Sequence, residues 1–303
     1  MVRPYLPTDL SPATGGNPLR QCGNIVARPP VAVGGLGGSG TRVVAAILAA
    51  AGIRMGPDLN QSLDNLWFTL LFKATDVPDY PHDRFDAIVS AFCGAMSGQG
   101  ELSAYQRSQV MAAGAHLGKR HGSEWLQRRR QSFIGAFDSP RSVRPLWGWK
   151  EPTTHMLLPR LNQAIPGLRY IHVVRHGLDM AYSRNQNQMR LWGRRLLSGD
   201  MSHAEPRLSL AFWVASHRRI LEIGNAMGSR FLLVDYDRLC SDPEREVDSL
   251  FSFLGVEPEE TMLAEAYRLI HSSPNAGRFR AHSEGHFDPG DLAYLDNLGY
   301  STA

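Results

Sequence analysis

The sequence predicts an α/β fold: a three-layer arrangement with a parallel sheet flanked by helices. Three observations carry this. A short β-branched run at Val31–Val33 passes through glycines into an Ala/Val/Leu-rich segment, and the same alternation of strand-like and helix-like runs resumes near residue 145. Turn residues such as Pro166-Gly167 separate the later runs, and strands that alternate with helices pair in parallel. The chain has 303 residues, 43% hydrophobic and 20% charged, which suits one large soluble domain and excludes both disordered and membrane composition.

Residues 1–30 are rich in Pro and Gly and have no apolar core. They are read as a partly ordered N-terminal arm that Pro29-Pro30 closes, neither a secretion signal nor a folded unit. Residues 31–303 are read as a single domain. Its first strand is Val31–Gly35, followed by a glycine loop and a helix to Ala51. From about 59 to 140, helical periods broken by Pro78, Pro81 and Gly/Ser clusters predict a mainly helical insertion. The alternation then returns with Pro145–Pro152, a helix over Leu157–Ala164, a strand at Leu168–Val174 and a helix from about Leu178. A long helix over Pro206–Met227, a strand at Phe231–Tyr236, and a helix opened by Asp242-Pro243 and closed by Gly255 complete the pattern.

A net charge of +3 is too small for nucleic acid as a bulk partner, so an anion site has to be local. Cys22, Cys93 and Cys240 are odd in number and lack CxxC spacing, which argues against a disulfide framework or a zinc site and for a reducing compartment. The longest apolar stretch, Val43–Gly52, is about half of what spans a bilayer. No membrane span is expected, and the expected location is the cytoplasm.

Gly34-Gly35-Leu36-Gly37-Gly38-Ser39-Gly40-Thr41-Arg42 joins the first strand to its helix. Glycines let a ligand approach the backbone, and free N–H groups at a helix start favour an anion, so phosphate or sulfate is expected here. Three readings compete. Gly35 to Gly40 satisfies the dinucleotide fingerprint GxGxxG with Asp58 as the ribose acid, but this requires a second strand ending at Asp58, where Pro57 intervenes. The nucleoside-triphosphatase loop needs a Lys where Thr41 stands. The third reading is a turn that only packs helix on strand. Downstream, Arg175 stands at a strand's C-terminal end and Ser183 two turns into the next helix, so both could hold a second phosphate in one crevice.

These segments together resemble the sulfotransferases that use 3'-phosphoadenosine 5'-phosphosulfate. Gly38-Ser39-Gly40-Thr41 is similar to their 5'-phosphosulfate loop, with Gly38 at the place of its usual basic residue; Arg175 with Ser183 is similar to the 3'-phosphate site. Lys150-Glu151-Pro152 resembles the family's Lys-x-Pro segment. Ser272-Ser273-Pro274-Asn275-Ala276-Gly277-Arg278-Phe279-Arg280 resembles the segment that closes over the nucleotide. The likeness runs in order from Val31 to about Arg280 and includes Tyr236-Asp237-Arg238-Leu239 with Asp242-Pro243.

The resemblance implies a P-loop-like sulfotransferase architecture, with sulfuryl transfer from that donor to an acceptor hydroxyl or amine and release of 3',5'-adenosine bisphosphate. It implies donor contacts from Gly37, Gly38, Ser39, Gly40, Thr41, Arg42, Arg175, Ser183, Arg278 and Arg280, and a role for Lys150 at the bridging oxygen. No metal is required, because the leaving group is already a phosphate. The acceptor is a small molecule or a carbohydrate, and its hydroxyl needs a base. Asp64 is preferred; Asp58, which also reads as a helix N-cap, and His155 are the alternatives. Arg128-Arg129-Arg130 reads as a solvated helix face, and Trp67, Phe68 and Trp125 read as core more readily than as acceptor pocket. The rival functions are a nucleotide-dependent kinase, an NAD-binding oxidoreductase and a non-catalytic nucleotide-binding relative.

Overall fold

The β-branched run of the first strand is buried along its whole length, and it sits at the centre of the sheet. In the computed structural model residues 29–138, 146–198, 205–271, 275–282 and 286–302 are described. The arm expected over residues 1–30 therefore lies outside the described residues, except for Pro29 and Pro30.

In chain order the elements are β1 (Val31–Gly35), α1 (Thr41–Ala50), α2 (Leu66–Phe72), α3 (His82–Ser97), α4 (Ala104–Ala112), α5 (Ala115–His121) and α6 (Ser123–Gly135). They continue with β2 (Gly148–Lys150), α7 (Thr154–Ala164), β3 (Arg169–Val174), α8 (Gly177–Ala181), α9 (Asn187–Leu196) and α10 (Pro206–Met227). The last are β4 (Phe231–Asp235), α11 (Tyr236–Ser241), α12 (Pro243–Leu254), α13 (Glu260–Leu269) and α14 (Pro289–Asn297). The four strands form a parallel sheet in the order β2-β1-β3-β4. β1 meets β2 in the register Val31 with Gly148, Ala32 with Trp149 and Val33 with Lys150.

The described chain divides into two compact units. The first holds residues 34–51 and those from 171 onward; the second holds those up to Val33 and residues 52–170, so that β1 and β3 each begin in the second unit and end in the first. The first unit is built around Val174, Leu178, Met180, Leu210, Trp213, Phe279 and Leu295, all buried. In the second unit Phe68, Phe72, Phe92 and Trp149 form an aromatic cluster, with Trp149 stacked on Phe68 at 5.7 Å and edge-on to Phe92 at 5.3 Å. Successive strand residues point to opposite faces, so Trp149 in that cluster turns Lys150 to the other face of the sheet.

Two local expectations are corrected. α8 ends at Ala181, so Ser183 is not inside a helix. The Gln186 amide caps the turn by donating to the carbonyls of Met180, Ala181 and Ser183. Asp58 is not an N-cap either. The helix begins at Leu66, where Asn65 accepts from Phe68 N at 2.9 Å, and residues 58–65 form a loop. No strand ends at Asp58 among the described residues; Arg54 makes only an isolated bridge to Trp147. The dinucleotide reading therefore lacks its second strand, in keeping with the Pro57 that breaks the run.

Candidate active site

The glycine loop lies in the first unit, between the end of β1 and the start of α1. Gly38 and Gly40 have φ of +102° and +98°, backbone that a side chain strains to adopt. At Gly40 a Cβ would also lie 2.1 Å from the Tyr236 ring, so the loop backbone rests directly on that ring. α1 starts with no side-chain cap, and among the described residues the N–H groups of Gly38, Gly40 and Thr41 donate to no protein acceptor. Ser39 is 1% exposed, yet its Oγ has no hydrogen-bond partner among the described residues. A cradle of unsatisfied donors at a helix start fits an anionic ligand.

Around this loop the first unit gathers several predicted residues. Ser183 Oγ lies 3.6 Å from where a Gly38 Cβ would be, and the Asn185 amide covers Gly37. Arg175, buried just past the end of β3, faces Asp179 Oδ2 at 3.5 Å and Asp237 Oδ1 at 3.7 Å, and its Nε makes no hydrogen bond among the described residues. Asp179 also accepts from the backbone N–H of Gly277 at 2.9 Å and of Phe279 at 3.4 Å, which binds the Arg278 turn to the same carboxylate. Burial first, and then the guanidinium of Arg175, hold Arg278 below its ordinary arginine range. A guanidinium held next to another positive charge in this way leaves room for added negative charge. Arg42 and Arg280 are exposed, and Arg280 lies over the Phe279 ring instead of joining Arg175. Ser272, Ser273 and Pro274 of the same segment fall outside the described residues.

Lys150 and Asp64 come together in the second unit. Lys150, 2% exposed, donates to Asp64 Oδ1 at 2.5 Å and to Ser62 O at 2.8 Å. Burial pulls its ammonium below the usual lysine range, and Asp64 opposes that. The chain positions the pair through backbone: Asn65 N donates to Lys150 O at 2.8 Å, which fixes residue 64 beside β2. The Asn60 side chain closes the loop by accepting from Ser62 N and Asp64 N, while its amide donates to Asp64 Oδ2 at 2.9 Å. Leu63, with φ +60°, is the one non-glycine residue with positive φ among the described residues. A second ion pair lies beside the first, from Lys73 to the fully buried Glu151 at 2.6 Å.

The other candidates fall elsewhere. Asp58 forms an ion pair with Arg129 at 3.5 Å. His155 is completely buried on α7. Trp67 and Phe68 are core, while Trp125 is half-buried. Of the three consecutive arginines only Arg128 is a solvated residue; Arg129 lies over the Trp125 ring and Arg130 donates to Ala113 O, because the α6 face that carries them packs inward. Sequence reasoning missed Asn60, Asn65, Lys73, Asp179, Tyr236 and Asp237. Two of these had a signal: Asn60 is a turn-forming residue shortly before Asp64, and Asp179 stands four residues after Arg175 on a predicted helix.

A model of the sulfotransferase family matches residues 29–260. Among solved structures, the sulfotransferase domain from the Synechococcus PCC 7002 olefin synthase superposes with a TM-score of 0.52 at 17% identity, covering 93% of this chain and 98% of its own. The sulfotransferase domain from the curacin biosynthetic pathway does so with a TM-score of 0.48 at 17% identity, over 90% of this chain and 99% of its own. No curated protein matches the sequence. The first of these structures establishes the fold as that of a sulfotransferase domain.

Proposed function

The chain belongs to the sulfotransferase family and is a sulfotransferase, and from that premise we propose that its donor is 3'-phosphoadenosine 5'-phosphosulfate and its acceptor a small-molecule or carbohydrate hydroxyl. The observation that carries the donor assignment is the glycine loop, with its unpaired N–H groups and the buried, unpartnered hydroxyl of Ser39. In this reading the backbone of Gly37–Thr41, with Ser39, Thr41 and Arg42, holds the 5'-phosphosulfate. Arg175, Ser183 and Arg278 hold the 3'-phosphate, and Arg280, which lies over the Phe279 ring, would have to swing off it to join them. The lowering of Arg278 by burial and by the nearby Arg175 guanidinium supports that role, since a dianion would relieve it.

Lys150 donates to the oxygen that bridges sulfur and the 5'-phosphate, where negative charge grows as that S–O bond breaks. Asp64 takes the proton of the acceptor hydroxyl as the new O–S bond forms on the opposite side of sulfur. The products are the sulfate ester and 3',5'-adenosine bisphosphate, and the proton stays on Asp64 until water removes it. The leaving group is a phosphate of low basicity, so the reaction proceeds in line on positioning and positive charge supplied by the chain.

The test is a thermal-shift series on the full chain with 3',5'-adenosine bisphosphate, ADP with magnesium, and NAD. The bisphosphate at about a hundred times its Kd stabilises by roughly 2.7 kcal/mol, and it is expected to be the one ligand that raises the melting temperature. A rise with ADP and magnesium alone, or with NAD alone, would overturn the donor assignment.

A further inference from the structure

The second unit holds positive charge that the transfer step does not use. Four acids in this region each have a base: Asp64 has Lys150, Glu151 has Lys73, Asp58 has Arg129 and Glu124 has Arg128. Lys119 and Arg120, exposed in the last turn of α5, have no acidic partner among the described residues. The helix end accounts for some cations there, because it carries partial negative charge. It does not account for what surrounds them. His121 stacks on Trp125 at 4.8 Å, and Arg129 lies over the same indole at 4.6 Å. An aromatic plane is thus flanked by an imidazole and a guanidinium.

This cluster is tied to the reacting pair. Arg129 binds Asp58, Leu66 N donates to Asp58 O at 2.9 Å, and Leu59 bridges Asn65, so Asp58 and Asp64 stand at the two ends of one closed loop. The electrostatics agree. Burial and then the charges of Arg120, Lys73 and Arg129 push the imidazole of His121 down from its ordinary range. Lys73 in turn feels Glu151, Asp64 and Arg120. Of these cations Lys73 and Arg129 have Glu151 and Asp58 as partners, and the exposed Arg120 is left without an acidic partner among the described residues.

Resting on the reading of Lys150 and Asp64 above, we propose that Arg120, His121 and Arg129, around the face of Trp125, form a subsite for an anionic group carried by the acceptor. The acceptor is then an acidic molecule whose hydroxyl reaches Asp64 while its anionic group sits on this cluster. Arg120 supplies the unpaired charge, and the stack of His121, Trp125 and Arg129 holds the polar edges of the subsite in place.

The experiment compares 4-hydroxyphenylacetate with its neutral isostere 4-hydroxyphenylacetamide, by calorimetry on the full chain saturated with 3',5'-adenosine bisphosphate. The acid is expected to bind about fivefold more tightly at low ionic strength, the size of a partly exposed ion pair. Arg120→Ala should close that gap, and Arg128→Ala, which removes an equal charge already paired with Glu124, should leave it open. Equal binding of acid and amide, a gap that survives Arg120→Ala, or no binding of either ligand overturns the proposal. The affinity of the bisphosphate alone is measured first. If it does not bind while the acid still outcompetes the amide, the donor assignment fails and the subsite stands.

Discussion

Asp64 accepts hydrogen bonds on both oxygens, from Lys150 on one and from Asn60 on the other, and this is the geometry of a carboxylate held for use. Asp64→Asn keeps the shape and removes the base; turnover is expected to fall by roughly 10²- to 10⁴-fold while bisphosphate affinity is retained. Near-normal turnover would remove Asp64 from the mechanism. Asn60→Asp preserves the acceptor for Ser62 N and Asp64 N but places a second negative charge against Asp64. The acidic limb of the pH profile of kcat/KM should then move to higher pH, because a like charge disfavours ionisation. An unmoved limb would mean that another group titrates there. Gly38 shows how backbone decides residue type: with φ +102°, Gly38→Arg, which restores the family's usual basic residue, should cost about 1–2 kcal/mol in chemical denaturation.

At the scale of elements, the turn that carries Arg278 is tethered by one carboxylate, since Asp179 accepts from Gly277 N and Phe279 N and also faces Arg175. Asp179→Ala is therefore expected to speed hydrogen exchange at Gly277 and Phe279 and to weaken bisphosphate binding about tenfold, as loss of a charged hydrogen-bond partner does. Unchanged exchange would show that other contacts hold the turn. The strands, α1, α10 and α12 were legible in the sequence because apolar periodicity and Pro/Gly punctuation are local signals. The ends of α8 and the start of α2 were not. Ser183 leaves the helix because the Gln186 amide, three residues on, caps it with a side-chain bond that apolar periodicity does not signal, and Asn65 wins the cap from Asp58 because its N–H is held by Lys150 O. The glycine loop, Lys150 and Arg175 carried type and spacing that a reader can see. That Asp64 meets Lys150, and that Asp179 unites Arg175 with the Arg278 turn, depends on pairings between residues 86 and 98 positions apart.

For the molecule as a whole, His217 sets one term of acid stability. Its ring stacks on Trp213 at 5.0 Å and shares a hydrogen bond with Tyr294 at 2.9 Å, and burial lowers its pKa from 6.5 to about 4. The unfolded chain thus binds a proton between pH 6.5 and about 4 that the folded chain refuses, so stability falls as pH drops through that window, by up to about 3 kcal/mol. Urea unfolding at pH 7 and pH 4 should show this loss, and His217→Gln should reduce it; an equal loss in the variant would assign it to other groups. The division of the chain into two interleaved units also has a consequence during synthesis. Everything the second unit needs has been translated once Tyr170 is made, whereas the first still lacks β4, Arg278 and α14. On the ribosome, the half that bears Lys150 and Asp64 therefore has its full complement of chain well before the half that bears Arg175 and Arg278. A message cut short after β3 would yield a polypeptide that carries Lys150 and Asp64 but neither Arg175 nor Arg278.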